Sequence, residues 1–256
     1  IDNLNISIDD LKNKLNKYKN IKSFVPVHFT GKVFDLNKIY KILKKNKISI
    51  IEDAAHALGS KYSSGEMVGS CKYSDLCVFS LHPVKIIAAG EGGVISTNNK
   101  SLYEKILRLR SHGINKFPDN LINKSSYENN IAKPWVYEMQ ELGYHYRITD
   151  IQAALALSQL SRVNKFIKKR QYLAKYYFKK LKNHKYIRPF QNYDKNSSYH
   201  IFVVKISFDK LNITRSQLML MLRRKKIITQ VHYIPVNSQP FYKKLIPLNY
   251  RPTCRT

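Results

Sequence analysis

Acidic residues are scarce in this chain: 17 Asp and Glu face 45 Lys and Arg over 256 residues, a formal net charge of +28. Cysteine is scarcer still. Cys71, Cys77 and Cys254 are an odd number in no metal-ligand spacing, which argues against a disulfide framework and fits a reducing cytoplasm. The eight histidines show no HExxH or similar pairing, so no metal site is expected. No apolar run is long enough to span a bilayer, no basic-then-apolar leader stands at Ile1, and no internal repeat or low-complexity linker interrupts the chain. These absences predict a cytoplasmic protein with no membrane partner.

The charge excess raises nucleic acid as a partner. Its best support is KKRQYLAKYYFKKLKNHKY at 168–186 and the RRKK that ends at Lys226. Yet Leu155, Leu160, Phe166, Leu173 and Tyr177 set an apolar stripe along the same helical run, with lysines as its solvated face. The lysine, asparagine and isoleucine bias also runs along the whole chain instead of marking one patch. The reading is therefore against nucleic acid, with a basic binding protein kept as a distant alternative. A dinucleotide site fails on spacing: AAGEGG supplies only GxGG and runs into the β-rich VIST, so it reads as a turn between strands.

What is present is a set of chemically matched residues. Residues 48–51 form an apolar run that delivers Glu52 and Asp53 at its end, in IIEDAAHALG; residues 76–79 form another that ends in Ser80, His82, Pro83 and Lys85. GGVISTN follows as a third. Open α/β sheets bind ligands at the carboxyl ends of their strands, where these runs place their polar residues. A lysine amine, a carboxylate and a hydroxyl match the needs of pyridoxal phosphate: an amine to hold its aldehyde as a Schiff base, a counter-charge for its protonated ring nitrogen, and a donor to its phosphate. Each residue taken singly has an ordinary structural explanation.

EDAAHALG, FSLHPVK, GEGGVISTN, LRSHGI and LGYHYRITDIQAALALSQL stand in the order and approximate spacing of the DegT/StrS sugar-nucleotide aminotransferases, which the chain resembles over nearly its whole length. The resemblance implies the α/β aminotransferase fold of type I, with a mostly parallel sheet flanked by helices and a small α+β C-terminal domain. It implies pyridoxal 5'-phosphate as cofactor and Lys85 as the catalytic lysine. Asp53 would partner the pyridine nitrogen, Ser80 the phosphate, and His56 the phenolic oxygen, while Ala55 packs on the ring. His145, in LGYHYR, stands where the family usually has Asn reaching the neighbouring subunit's phosphate, so a homodimer with shared sites is implied. Arg147, His232 and Tyr233 are candidate substrate contacts.

HPVKII with GEGG, and QVHYIPV further on, look most like the enzymes that transfer an amino group from glutamate to the C4 keto group of a UDP-linked 4-keto-6-deoxy-N-acetylhexosamine, in pseudaminic acid synthesis. The alternative acceptor is another nucleotide-linked 3- or 4-keto sugar. The expected organisation is a partial large domain over 1–148, a connecting long helix within 149–186 and a partial small domain over 187–256. Expected strands include 23–27, 199–206 and 227–233, with one unbroken helix over 149–180. Nothing before Ile21 resembles the family's small-residue phosphate loop. The chain is thus read as a fragment cut at both ends, doubtful in activity by itself or an inactive remnant.

Overall fold

The computed structural model describes residues 4–245. They form two units, one up to Lys205 and one from Ile206. In the first, α1 (Ile8–Lys17) starts where Ser7 accepts the Asp10 amide, with Asp9 and Asp10 in its first turn and Lys14 and Lys17 in its last, matching the helix dipole. It leads to β1 (Ser23–Phe24), α2 (Asn37–Lys45) and β2 (Ser49–Asp53). After β2 come β3 (Leu76–Ser80), β4 (Gly93–Ser96) and α3 (Lys100–Arg110).

These strands make one sheet in the order β1-β2-β3-β4, with β1, β2 and β3 parallel and β4 antiparallel to β3. Alternation along β2 and β3 sorts their side chains. Ile50, Glu52, Cys77 and Phe79 point into a core completed by Leu11 of α1 and by Leu36, Ile39 and Leu43 at α2. Asp53 pairs with Val78, so Asp53, Val78 and Ser80 face the opposite side, where they are half-buried. Val25, Val27 and Ile95 are exposed there, which leaves an apolar sheet face open to solvent.

A loop region follows with two short pairs of strands, β5 (Ile114–Asn115), β6 (Tyr127–Glu128), β7 (Ile131–Ala132) and β8 (Glu138–Met139), where β5 pairs with β8 and β6 with β7. Glu138 closes this region by accepting the amides of Ile122 and Asn123 and the hydroxyl of Ser126, at 2.7–2.9 Å.

The helix expected over 149–180 is two helices, α4 (Asp150–Leu160) and α5 (Val163–Leu181). Thr149 and Gln152 form a capping box at the start of α4. The break comes at Arg162, where ψ is 0°; beside it the Ser161 hydroxyl turns back to donate to the Ser158 carbonyl, competing with regular helical bonding. After α5, β9 (Ile187–Pro189) pairs with β10 (Val204–Ile206). The strand expected over 199–206 thus forms only at its end, because residues 197–200 are buried in hydrogen bonds of a different kind and Tyr199 takes a left-handed φ of 48°.

The second unit, by itself, holds α6 (Arg215–Arg224), opened by a Thr214–Gln217 capping box, and α7 (Pro240–Leu245). Residues 227–233 form no strand among the described residues. Ile227, Ile228, Val231 and Tyr233 are exposed, so among the described residues this apolar run meets no partner strand that would bury it. Cys254 lies outside the described residues. No helix among them is long and apolar enough to cross a membrane.

Candidate active site

The carboxyl ends of β2 and β3 bring the predicted set together. Asp53 ends β2, held by its amide to Pro26 and its carbonyl to His28. Its Oδ1 accepts the amide of the half-buried Ala55 at 3.1 Å, which fixes the carboxyl plane and leaves Oδ2 to face a cation. Ser80 ends β3 opposite Gly93 of β4. Its Oγ accepts the amide of His82 at 3.3 Å, so the hydroxyl hydrogen is directed elsewhere and is available to an anion.

Lys85 sits in the loop after β3, half-buried, in a turn closed by its own amide to the His82 carbonyl. Burial pulls its ammonium below lysine's ordinary pKa, while the negative charge of Asp53 opposes that fall. The loop is anchored on both flanks. Leu81, Ile87 and Ala89 are buried against Leu58, Ala156, Val163 and Phe166, and Ile86 is buried beside them in sequence. Gln159 of α4 exchanges two hydrogen bonds with the backbone of Ala88, at 3.2 and 2.7 Å, and Gln152 donates to the Glu91 carbonyl. GEGG is the turn that returns this loop into β4.

His56 is buried three residues beyond Asp53, its ring 5.5 Å from that of Phe29 and 4.4 Å from that of His200. The donor set fits pyridoxal phosphate in kind: an amine with a weakened hold on its proton, a carboxylate oriented by one amide, and a hydroxyl free to donate.

Other expected residues stand apart. His145 bridges to Ser111 and packs its ring on His112, 5.4 Å between centroids; it has no hydrogen bond, ion pair or ring contact with Asp53, Ser80 or Lys85 among the described residues. Arg147 is exposed two residues on. His232 and Tyr233 belong to the second unit.

The sequence reading missed the support behind the site. Glu52, fully buried, accepts hydrogen bonds from the hydroxyls of Tyr62 and Ser74 and from His28 Nε2 at 2.6 Å. His28 Nδ1 accepts the Phe34 amide at 3.0 Å, so the ring proton on the Glu52 side is the one on Nε2. The signal was a glutamate inside an apolar strand, since a buried carboxylate requires donors. The buried segment SSYH at 197–200 was missed as well.

Residues 1–253 match the DegT/DnrJ/EryC1/StrS aminotransferase family. The chain belongs to that family. Its enzymes work with pyridoxal phosphate, and its fold is the one seen here. A transaminase of Campylobacter jejuni, named for UDP-4-amino-4,6-dideoxy-N-acetyl-beta-L-altrosamine, is 36% identical over 233 residues, covering 91% of this chain and 57% of the relative. An uncharacterized protein of Methanocaldococcus jannaschii is 34% identical, covering 94% and 59%. Among solved structures, Helicobacter pylori PseC, an aminotransferase of pseudaminic acid biosynthesis, superposes with a TM-score of 0.81 at 29% identity, over 97% of this chain and 61% of that one. This aminotransferase-family chain thus spans about three-fifths of the length of these relatives.

Proposed function

We propose that this protein transfers an amino group from glutamate to the C4 keto group of a UDP-linked 4-keto-6-deoxy-N-acetylhexosamine, with pyridoxal 5'-phosphate held by Lys85, Asp53 and Ser80. The observation that carries the reading is the half-buried Lys85 amine beside the Asp53 carboxylate, on the sheet edge that also presents Ser80. The named relatives support the sugar class. When bound, pyridoxal phosphate supplies an electron-withdrawing ring that lets a proton leave the carbon bearing the amino group.

The residues do the rest. Lys85 Nζ, its charge disfavoured by burial, takes that proton as a general base and returns it as a general acid during the reverse half. Asp53 Oδ2 holds a protonated ring nitrogen by charge, in a site where partial burial strengthens the attraction. The Ser80 hydroxyl donates to a phosphate oxygen. His56 lies by the ring's phenolic oxygen and Ala55 packs on the ring face. His145 reaches the phosphate bound by a second copy, which explains its separation from the site within one chain; Arg147, and His232 and Tyr233 of the second unit, contact the sugar nucleotide.

The test is an assay of amino transfer from glutamate to a panel of UDP- and dTDP-linked 3-keto and 4-keto sugars. The reading predicts ping-pong kinetics, highest kcat/KM for the UDP-linked 4-keto acceptor, and no turnover for Lys85→Ala. Preference for a dTDP-linked or 3-keto acceptor would overturn the substrate, and parental turnover by Lys85→Ala the chemistry.

A further inference from the structure

The loop that carries Asp53, Ala55 and His56 is backed by a segment more than 140 residues away in sequence. Residues 197–200 are all buried. The Ser198 hydroxyl donates to the His56 carbonyl at 3.0 Å, and the Ser198 amide donates to Ser60 Oγ at 3.0 Å. Ser60 Oγ in turn donates to the Gly31 carbonyl at 2.7 Å, and the His200 amide to the Thr30 carbonyl at 2.9 Å.

The approach is close enough to dictate residue size. Gly31 has a φ of +97°, and a Cβ there would stand 2.5 Å from Ser198 Oγ and 3.0 Å from both the His56 carbonyl oxygen and the Tyr199 amide nitrogen. From the other side, Arg170 of α5 donates to the carbonyls of Tyr199 and His200, at 3.3 and 2.9 Å. The segment is thereby clamped between α5 and the strand-end loops. What it presents to the site is one ring: His200, lying 4.4 Å from His56 at an interplanar angle of 38°.

We propose that His200 is a positioning residue for the cofactor: its ring, fixed by this clamp, sets the orientation in which His56 meets the cofactor. An imidazole has a directional edge and two distinct nitrogens, so a hydrogen bond from His56 depends on the rotation of its ring. Phe29 limits that rotation at 5.5 Å and His200 at 4.4 Å, on the shorter contact. His200 touches neither cofactor nor substrate in this account; it acts through His56. The inference rests on the reading of His56 as a neighbour of the cofactor's phenolic oxygen.

A double-mutant cycle in cofactor binding tests it. The affinity of the protein for pyridoxal phosphate, and the position of the visible absorption band on binding, are measured for the parent, His56→Asn, His200→Asn and the double variant. His200→Asn is expected to weaken binding about tenfold and move the band where His56 is present, and to weaken it no more than about twofold in the His56→Asn background. His200→Phe, which keeps a ring against His56, is expected to stay within about twofold of the parent. Equal losses from His200→Asn in both backgrounds, or a His200→Phe variant as weak as His200→Asn, would overturn the positioning role. An unchanged affinity and band in His56→Asn would instead sink the reading of His56 on which it rests.

Discussion

The Asp53 carboxylate acts on the charge of Lys85 across the sheet edge, and removing it should be legible in the lysine. Burial lowers the Lys85 pKa and the Asp53 carboxylate resists that fall, so Asp53→Asn should lower it further. NMR of the reductively methylated Lys85 amine in the cofactor-free protein checks this; an unmoved or raised midpoint would separate the two residues. Behind them, Glu52 meets an opposing balance. Burial, the largest influence, pushes its carboxyl pKa up, but hydrogen bonds from His28, Ser74 and Tyr62 hold it below the ordinary carboxylate value. A depressed folded-state pKa contributes stability that is present above the unfolded value, about 4.5, and is lost as pH falls through the folded one. Glu52→Gln turns amide hydrogens toward groups that already donate, and should cost about 1–3 kcal/mol at neutral pH. It should also flatten the acid limb of a urea-midpoint profile.

At the scale of elements, the lysine loop is a device of α4 as much as of β3. Gln159 satisfies both backbone groups of Ala88, and Ile87 and Ala89 pack under α4 and α5. Gln159→Ala should leave α4 capped by Thr149 and Gln152 yet loosen the loop, seen as faster hydrogen exchange at Ala88 and about 1 kcal/mol lower stability. Unchanged exchange there would place the anchoring wholly in the apolar contacts. Strands β2 to β4 were legible in the sequence because their signals are local: the apolar runs that deliver Asp53 and Ser80, and GGVISTN after them. The break between α4 and α5 was not, because the apolar stripe continues through Ser161 and Arg162. Residues 199–206 and 227–233 read as strands by composition, but pairing is a long-range property that composition does not encode. The same holds for the site. Lys85, Asp53 and Ser80 announce themselves by chemistry, whereas His200 and Ser198 reach His56 by a contact that only the fold makes.

Among the described residues of the first unit, apolar surface remains uncovered in several places, α4 included, where Ile151, Leu155, Leu157 and Leu160 are exposed; two others stand out. One is the open sheet face with Val25, Val27 and Ile95; the other is the run Trp135, Tyr137, Met139, Leu142, Tyr144 and Tyr146, all more than half exposed, with the two last tyrosines stacked 5.0 Å apart. Patches of this kind mark interaction surfaces. The second includes His145, whose proposed role belongs to a neighbouring copy's site. Net charge of +28 has a quieter place in this account: the lysines of α5 are exposed on a helix that buries Ile167 and Ala174, whereas of the stripe expected at Leu155, Leu160, Phe166, Leu173 and Tyr177 only Phe166 is partly covered and the other four stand exposed.

The account turns on Lys85 as the residue that holds pyridoxal phosphate. Treating the cofactor-loaded protein with borohydride makes a lysine-cofactor bond permanent, and peptide mass spectrometry then locates it. The prediction is a pyridoxyl label on Lys85, absent from Lys85→Ala; a label on another lysine, or none on the parent protein, would contradict it.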